Sequence, residues 1–157
     1  MNYKFLQTIL SVLPSQDVSA HCDIPCGIYD PTPAQIAAHT VLRMTLLLGE
    51  KTSMHDVARV THVKEEHGQK VESELDTLKH DYFKPEHFEK FPELKVLLQD
   101  AVKLSADCRQ HVDVQKAQDL LEKVLQIAEV FYKTKNVTPV RVPSLYPTKG
   151  EIVTYTA

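Results

Sequence analysis

The chain has no surplus of basic residues: 18 Lys and Arg stand against 21 Asp and Glu, for a formal charge of -3 and an isoelectric point near 6.2. That balance disfavours nucleic acid or an anionic membrane surface as a partner. Long apolar runs are missing too. Nothing approaches the roughly 18 residues a membrane-crossing helix requires, so no membrane span is expected. Cysteine is scarce: Cys22, Cys26 and Cys108 cannot all pair within one chain, which argues against a closed disulfide framework and leaves at least one thiol free. What is present, 43% hydrophobic and 25% charged residues over 157 positions, suits one domain with an ordinary core.

Residues 1–20 read as a removable leader. Lys4 precedes a short apolar stretch, Phe5 to Leu13, and the segment closes on the small residues Val18-Ser19-Ala20. Gln7, Thr8 and Ser11 dilute that stretch, which fits a cytoplasmic propeptide better than a secretion signal; a retained amphipathic helix is the plain alternative. From His21 to Pro33, three prolines, a glycine and no periodicity describe an irregular loop.

Helical spacing follows. Pro31 and Pro33 suit the first turn of a helix carrying Ile36, Val41, Met44 and Leu48 and ending near Gly49. Thr52 or Ser53 can cap a second through Met54, Val57, Val71, Leu75 and Leu78, with Gly68 weakening its middle. Residues 81–92 break the pattern with two prolines and four aromatics. Leu94, Leu97, Leu98, Ala101 and Leu104 resume it, and Asp113 can cap a last helix whose Ala117, Leu121, Val124, Ala128 and Phe131 form a packing seam. The expected fold is all-α: an antiparallel four-helix bundle over about 32–135, an irregular hook at 21–31 and an extended C-terminal arm at 136–157.

Chemistry concentrates in His21-Cys22-Asp23-Ile24-Pro25-Cys26-Gly27-Ile28-Tyr29-Asp30-Pro31. If a peptidase cuts between Ala20 and His21, the new amine lies two carbons from the Cys22 backbone nitrogen, so one metal ion closes a five-membered ring with both. The Cys22 thiolate closes a second ring, and Cys26 folds back through Pro25 as a fourth planar donor. The His21 imidazole remains above that plane. Planar nitrogen and sulfur donors favour nickel or copper over tetrahedral zinc, and the thiolate pair points to nickel. Before cleavage the His21 nitrogen is an amide, a far poorer ligand than an amine of pKa about 8.

This segment closely resembles the nickel hook, H-C-x-x-P-C-x-x-Y, that opens mature nickel superoxide dismutases. The block Asp81-Tyr82-Phe83-Lys84-Pro85-Glu86-His87-Phe88-Glu89-Lys90-Phe91-Pro92-Glu93-Leu94 resembles the family's other characteristic stretch, so the resemblance spans roughly residues 21–135. It implies a homohexamer of four-helix bundles. Each subunit would hold one nickel, bound by His21, Cys22 and Cys26, that cycles between Ni(II) and Ni(III) as superoxide becomes dioxygen and hydrogen peroxide. By the same resemblance, Tyr29 and Tyr82 line the approach, Asp23 and Lys84 surround the hook, and the Lys84 charge draws in the anion. Ala37 and His67 depart from the family pattern, standing where members carry a glutamate and an arginine that steady the axial imidazole; His67 itself or a neighbouring subunit is the expected replacement.

Without the resemblance, Cys22 and Cys26 also fit a strained disulfide, inert loop thiols, or half of a zinc site completed by Cys108 or His111 in a non-catalytic helical interaction module. Phe83, Phe88 and Phe91 read as core packing. Cys108 reads as an incidental thiol, and His39, His55, His62 and His80 as solvated helix positions.

Overall fold

The computed structural model describes residues 27–156, so the expected leader and the hook residues at 21–26, among them the candidate site residues His21, Cys22, Asp23 and Cys26, lie outside the described part. Helix α1 runs Thr32–Leu48. Pro31 precedes it, Pro33 sits in its first turn, where no backbone donor is needed, and the Asp30 carboxylate accepts the Thr32 N–H at 2.7 Å. Helix α2, Met54–Thr77, is capped by Ser53, whose hydroxyl accepts the Asp56 N–H at 3.1 Å. Its last turn widens into a π-helical turn, Leu78–Tyr82, closed by Phe83 N–H to Leu78 C=O at 2.8 Å.

After the short helix α3, Pro85–Lys90, come α4, Leu94–Gln110, and α5, Val114–Thr134, with Asp113 capping α5 through the Lys116 N–H at 3.1 Å. The four long helices close a ring: α1 packs on α2 and α5, and α4 packs on the same two. Their apolar stripes meet in one core that includes Ala37, Val41, Val71, Leu75, Leu94, Leu120, Val124 and Ile127, all below 2% exposed. Gly68 does not bend α2 so much as let α4 approach. A Cβ built there would lie 2.5 Å from Arg109 Cγ, and the Ser105 hydroxyl donates to the Gly68 carbonyl at 2.9 Å.

The chain is mostly helical but not all-α. The expected arm folds back as a hairpin, β1 Thr138–Pro143 paired antiparallel with β2 Glu151–Thr156 in the register Thr138↔Thr156 to Pro143↔Glu151. Extended backbone cannot lie unpaired against a helical face without leaving its polar groups unmet, and here the two strands pair with each other while α1 meets the outer side of β2. Val153, 2% exposed, turns both backbone groups away from β1. The Gln35 side chain on α1 closes them, donating to Val153 C=O at 3.1 Å and accepting Val153 N–H at 2.7 Å. Because Arg141 faces Val153, Pro139 and Pro143 share its parity in the ladder, and their missing N–H groups cost no pairing with β2.

Arg141 reaches α5, donating to both Glu122 oxygens at 2.8 Å and to Glu129 at 2.6 Å. His39 is therefore not a solvated position: it is 3% exposed, bonded to the Thr148 hydroxyl and the Glu151 carbonyl at 2.8 Å each, with Gly150 pressed against its ring. Helical spacing placed His39 correctly along α1 but carried no sign of the hairpin that covers it.

Candidate active site

Gly27, the residue after Cys26 in sequence, has φ +85, a left-handed conformation that only glycine adopts without strain. Two residues on, Tyr29 is half-buried with its ring 5.6 Å from that of Tyr82. The π turn delivers Tyr82 to this position, where it also lies 4.5 Å from Phe131, 5.1 Å from Phe83 and stacked on His87 at 5.7 Å. Phe83 is buried core, while Phe88 and Phe91 pack against that core from its edge, as their aromatic spacing suggested.

The Tyr82 hydroxyl meets Thr134 Oγ1 at 2.6 Å, and Thr134 Oγ1 donates its own proton to the Phe131 carbonyl at 2.6 Å. With that proton committed, Tyr82 is the donor to Thr134 and its oxygen lone pairs are left to accept. Burial pushes the Tyr82 phenol above its usual range, against the opposing effect of the Thr134 bond, so it stays protonated at neutral pH.

Lys84 is exposed at the start of α3. Its ammonium donates to the Asp81 carbonyl at 3.2 Å and its backbone N–H donates to His87 Nδ1 at 3.1 Å, fixing the loop that follows Tyr82. A second cation, which no sequence motif marked, lies over the Tyr82 ring. The Lys135 ammonium sits 4.7 Å from the Tyr82 ring centre and 5.6 Å from that of Phe131. Neither Lys135 nor Thr134 belongs to a motif; their position at the end of α5, opposite the π turn, was the only available signal. Tyr29, Asp30, Phe131, Tyr132, Lys135, Val137 and Tyr155 line an open cleft of about 270 Å³ beside these rings.

Ala37 is fully buried in the core and offers no polar atom, so α1 supplies no carboxylate at that position. His67 Nδ1 is bonded to the Val63 carbonyl of its own helix at 2.9 Å, which leaves Nε2 as its outward nitrogen. Cys108 is 1% exposed, and burial pushes its thiol up to about 11. Above it the buried Lys64 ammonium donates to the carbonyls of Cys108, Arg109 and His111, closing the C-terminal end of α4.

Among the described residues no three His, Cys, Asp or Glu side chains gather as a metal site. The donors the hook sequence would offer once cleaved, an amine, the Cys22 backbone nitrogen, two thiolates and an imidazole, fit a nickel ion.

The family model of nickel-containing superoxide dismutase matches residues 16–135, and the chain belongs to that family. Among curated relatives, the chain is 39% identical over 122 residues to "Superoxide dismutase [Ni]" of Streptomyces seoulensis, covering 78% of this chain and 93% of that one. It is 38% identical over the same length to its counterpart in Streptomyces coelicolor. Of the solved structures, a crystal structure of Ni-containing superoxide dismutase in the oxidised state superposes with a TM-score of 0.70 at 38% identity, covering 74% of this chain and 99% of that one. A native nickel superoxide dismutase superposes at 0.69 with 36% identity, covering 73% and 99%.

Proposed function

We propose that the chain is a nickel superoxide dismutase, cut by a peptidase between Ala20 and His21, with His21, Cys22 and Cys26 holding one nickel ion per subunit. The observation that carries this reading is the meeting of Tyr29, at the end of the hook motif, with Tyr82, from the family's other motif block, at 5.6 Å. Two stretches far apart in sequence resemble one family, and they converge on one place.

The chemistry supplied by the metal when bound is one-electron exchange between its divalent and trivalent states, which oxidises one superoxide to dioxygen and reduces a second to hydrogen peroxide. The protein's own residues handle charge, size and protons. Lys135 and Lys84 place positive charge around the tyrosines, which raises the local concentration of a small anion. Tyr29 and Tyr82 narrow the approach against larger anions. Tyr82, held neutral and with its proton turned toward Thr134, accepts a hydrogen bond from water and so orders it where protons are consumed. Asp23, one residue beyond Cys22 in sequence, takes its place beside the ligands from the family resemblance alone.

On this reading residues 21–157 form the mature domain, and the four long helices make an antiparallel bundle that assembles as a homohexamer. Because Gln7, Thr8 and Ser11 dilute the leader's apolar stretch, the enzyme is placed in the cytoplasm. No helix among the described residues is long and apolar enough to cross a membrane. Family membership favours this enzyme over the zinc-binding interaction module.

The test compares three chains, beginning at Met1, at His21, and at one added residue before His21, for bound nickel by elemental analysis and for superoxide turnover by pulse radiolysis. Only the second is expected to bind one nickel per chain and turn over. Equal loading and turnover by the Met1 chain would overturn the reading.

A further inference from the structure

The family match ends at Lys135, and the hairpin begins at Thr138. Two residues beyond the match, Val137 and Tyr155, nevertheless help to line the cleft in front of Tyr29. We propose that Tyr155 is a specificity-determining residue, an outer aromatic wall that the C-terminal hairpin adds to the tyrosine-lined approach. The proposal rests on the function given above.

Three observations place it. Tyr155 is 52% exposed at the end of β2, yet its ring is held 5.2 Å from that of Tyr132, which is 6% exposed on α5. The strand that carries it is fixed two residues earlier, where Gln35 grips both backbone groups of the buried Val153. Tyr29 and Asp30, from the hook segment, line the same cleft as Tyr155, and so does Lys135. An aromatic side chain mounted on an anchored strand is a rigid obstacle, whereas the same ring on a loose tail would not be. A small anion and water pass such a rim; a bulky anion or reagent meets the ring first.

Tyrosine nitration by tetranitromethane in the metal-free full chain, read residue by residue by peptide mass spectrometry, tests this without reference to activity. In Tyr155→Ala, nitration of Tyr29 is expected to accelerate several-fold, while Tyr155→Phe stays near wild type because the ring remains. Tyr146 is the internal control, since it packs on His39 at 5.0 Å and lines no part of this cleft, so its rate should rise only if the hairpin detaches. In the nickel-loaded enzyme, Tyr155→Ala is expected to gain several-fold sensitivity to thiocyanate, with inhibition by the smaller fluoride unchanged.

Unchanged Tyr29 nitration in Tyr155→Ala overturns the proposal, as does equal acceleration at Tyr146, which would make Tyr155 an anchor of the hairpin and not a wall. Absence of superoxide turnover in the wild-type, nickel-loaded, His21-initiated chain would instead overturn the assigned function, a result readily told apart from either.

Discussion

Replacing Gln35 by Leu should release the hairpin from the helices while leaving the helical core folded. Gln35 is 1% exposed and its carboxamide makes two bonds, both to the backbone of Val153, itself 2% exposed. Leucine fills a similar volume but meets neither group, so one buried N–H and one buried C=O lose their partners. Each such loss costs about 1–3 kcal/mol, and about 3 kcal/mol for the pair is a conservative sum. That energy falls on the local opening of 138–156, because Val153 sits at the hairpin's centre and α1 keeps its own ladder. Amide hydrogen exchange followed by mass spectrometry reads it directly: about 3 kcal/mol of lost protection is roughly a hundredfold faster exchange in peptides of the hairpin, with α5 peptides little changed. Gln35→Glu keeps an acceptor for Val153 N–H but loses the donor and buries a carboxylate, so it should fall between wild type and Leu or below both, never above wild type. Hairpin exchange in Gln35→Leu indistinguishable from wild type would refute the claim that this carboxamide anchors β2.

Cys22→Ser and Cys26→Ser should each abolish nickel retention and turnover while leaving the circular dichroism of the helices unchanged, because the hook precedes the packed elements. Lys135→Glu should lower kcat/KM for superoxide several-fold at low ionic strength, and the gap should close as salt rises, since screening acts within about 10 Å at 0.1 M. Burial lowers the His39 pKa from 6.5, against the pull of its bond to the Glu151 carbonyl. The folded state therefore takes up a proton less readily than the unfolded chain. The stability this neutral side chain contributes is complete above the unfolded value of 6.5 and is lost as pH falls through the lower folded value, at about 1.4 kcal/mol per unit of depression. Urea midpoints of wild type should drop on acidification by more than those of His39→Gln.

The helices were legible because their signals are local. Ser53 and Asp113 stand where caps are needed and bond as caps do, and the seam from Ala117 to Phe131 is buried along its length. The hairpin was not. Its first strand carries Pro139 and Pro143, which ordinarily argue against a strand, and the connecting loop turns on Leu145 and Lys149, left-handed at φ 58 and 55, where glycine or asparagine would have announced a turn. What holds the hairpin is non-local: from more than a hundred residues earlier, Gln35 bonds both backbone groups of Val153 and His39 bonds the Thr148 hydroxyl and the Glu151 carbonyl. The site shows the same division. The hook and Tyr82 are written in short motifs, whereas Thr134 and Lys135 matter only because the end of α5 lies against the π turn.

That wide turn at Leu78–Tyr82 sets the compass bearing of the gate. An α-helix advances about 100° per residue, so a π turn, which accommodates one residue more than its α-helical equivalent, rotates everything after it by about that angle relative to a regular continuation. A chain lacking one residue between 79 and 81 would keep α2 up to Thr77 yet swing the phenol away from both Thr134 and Tyr29, and the buried Phe83 with it. A deletion there thus leaves the phenol in the chain and takes away its heading.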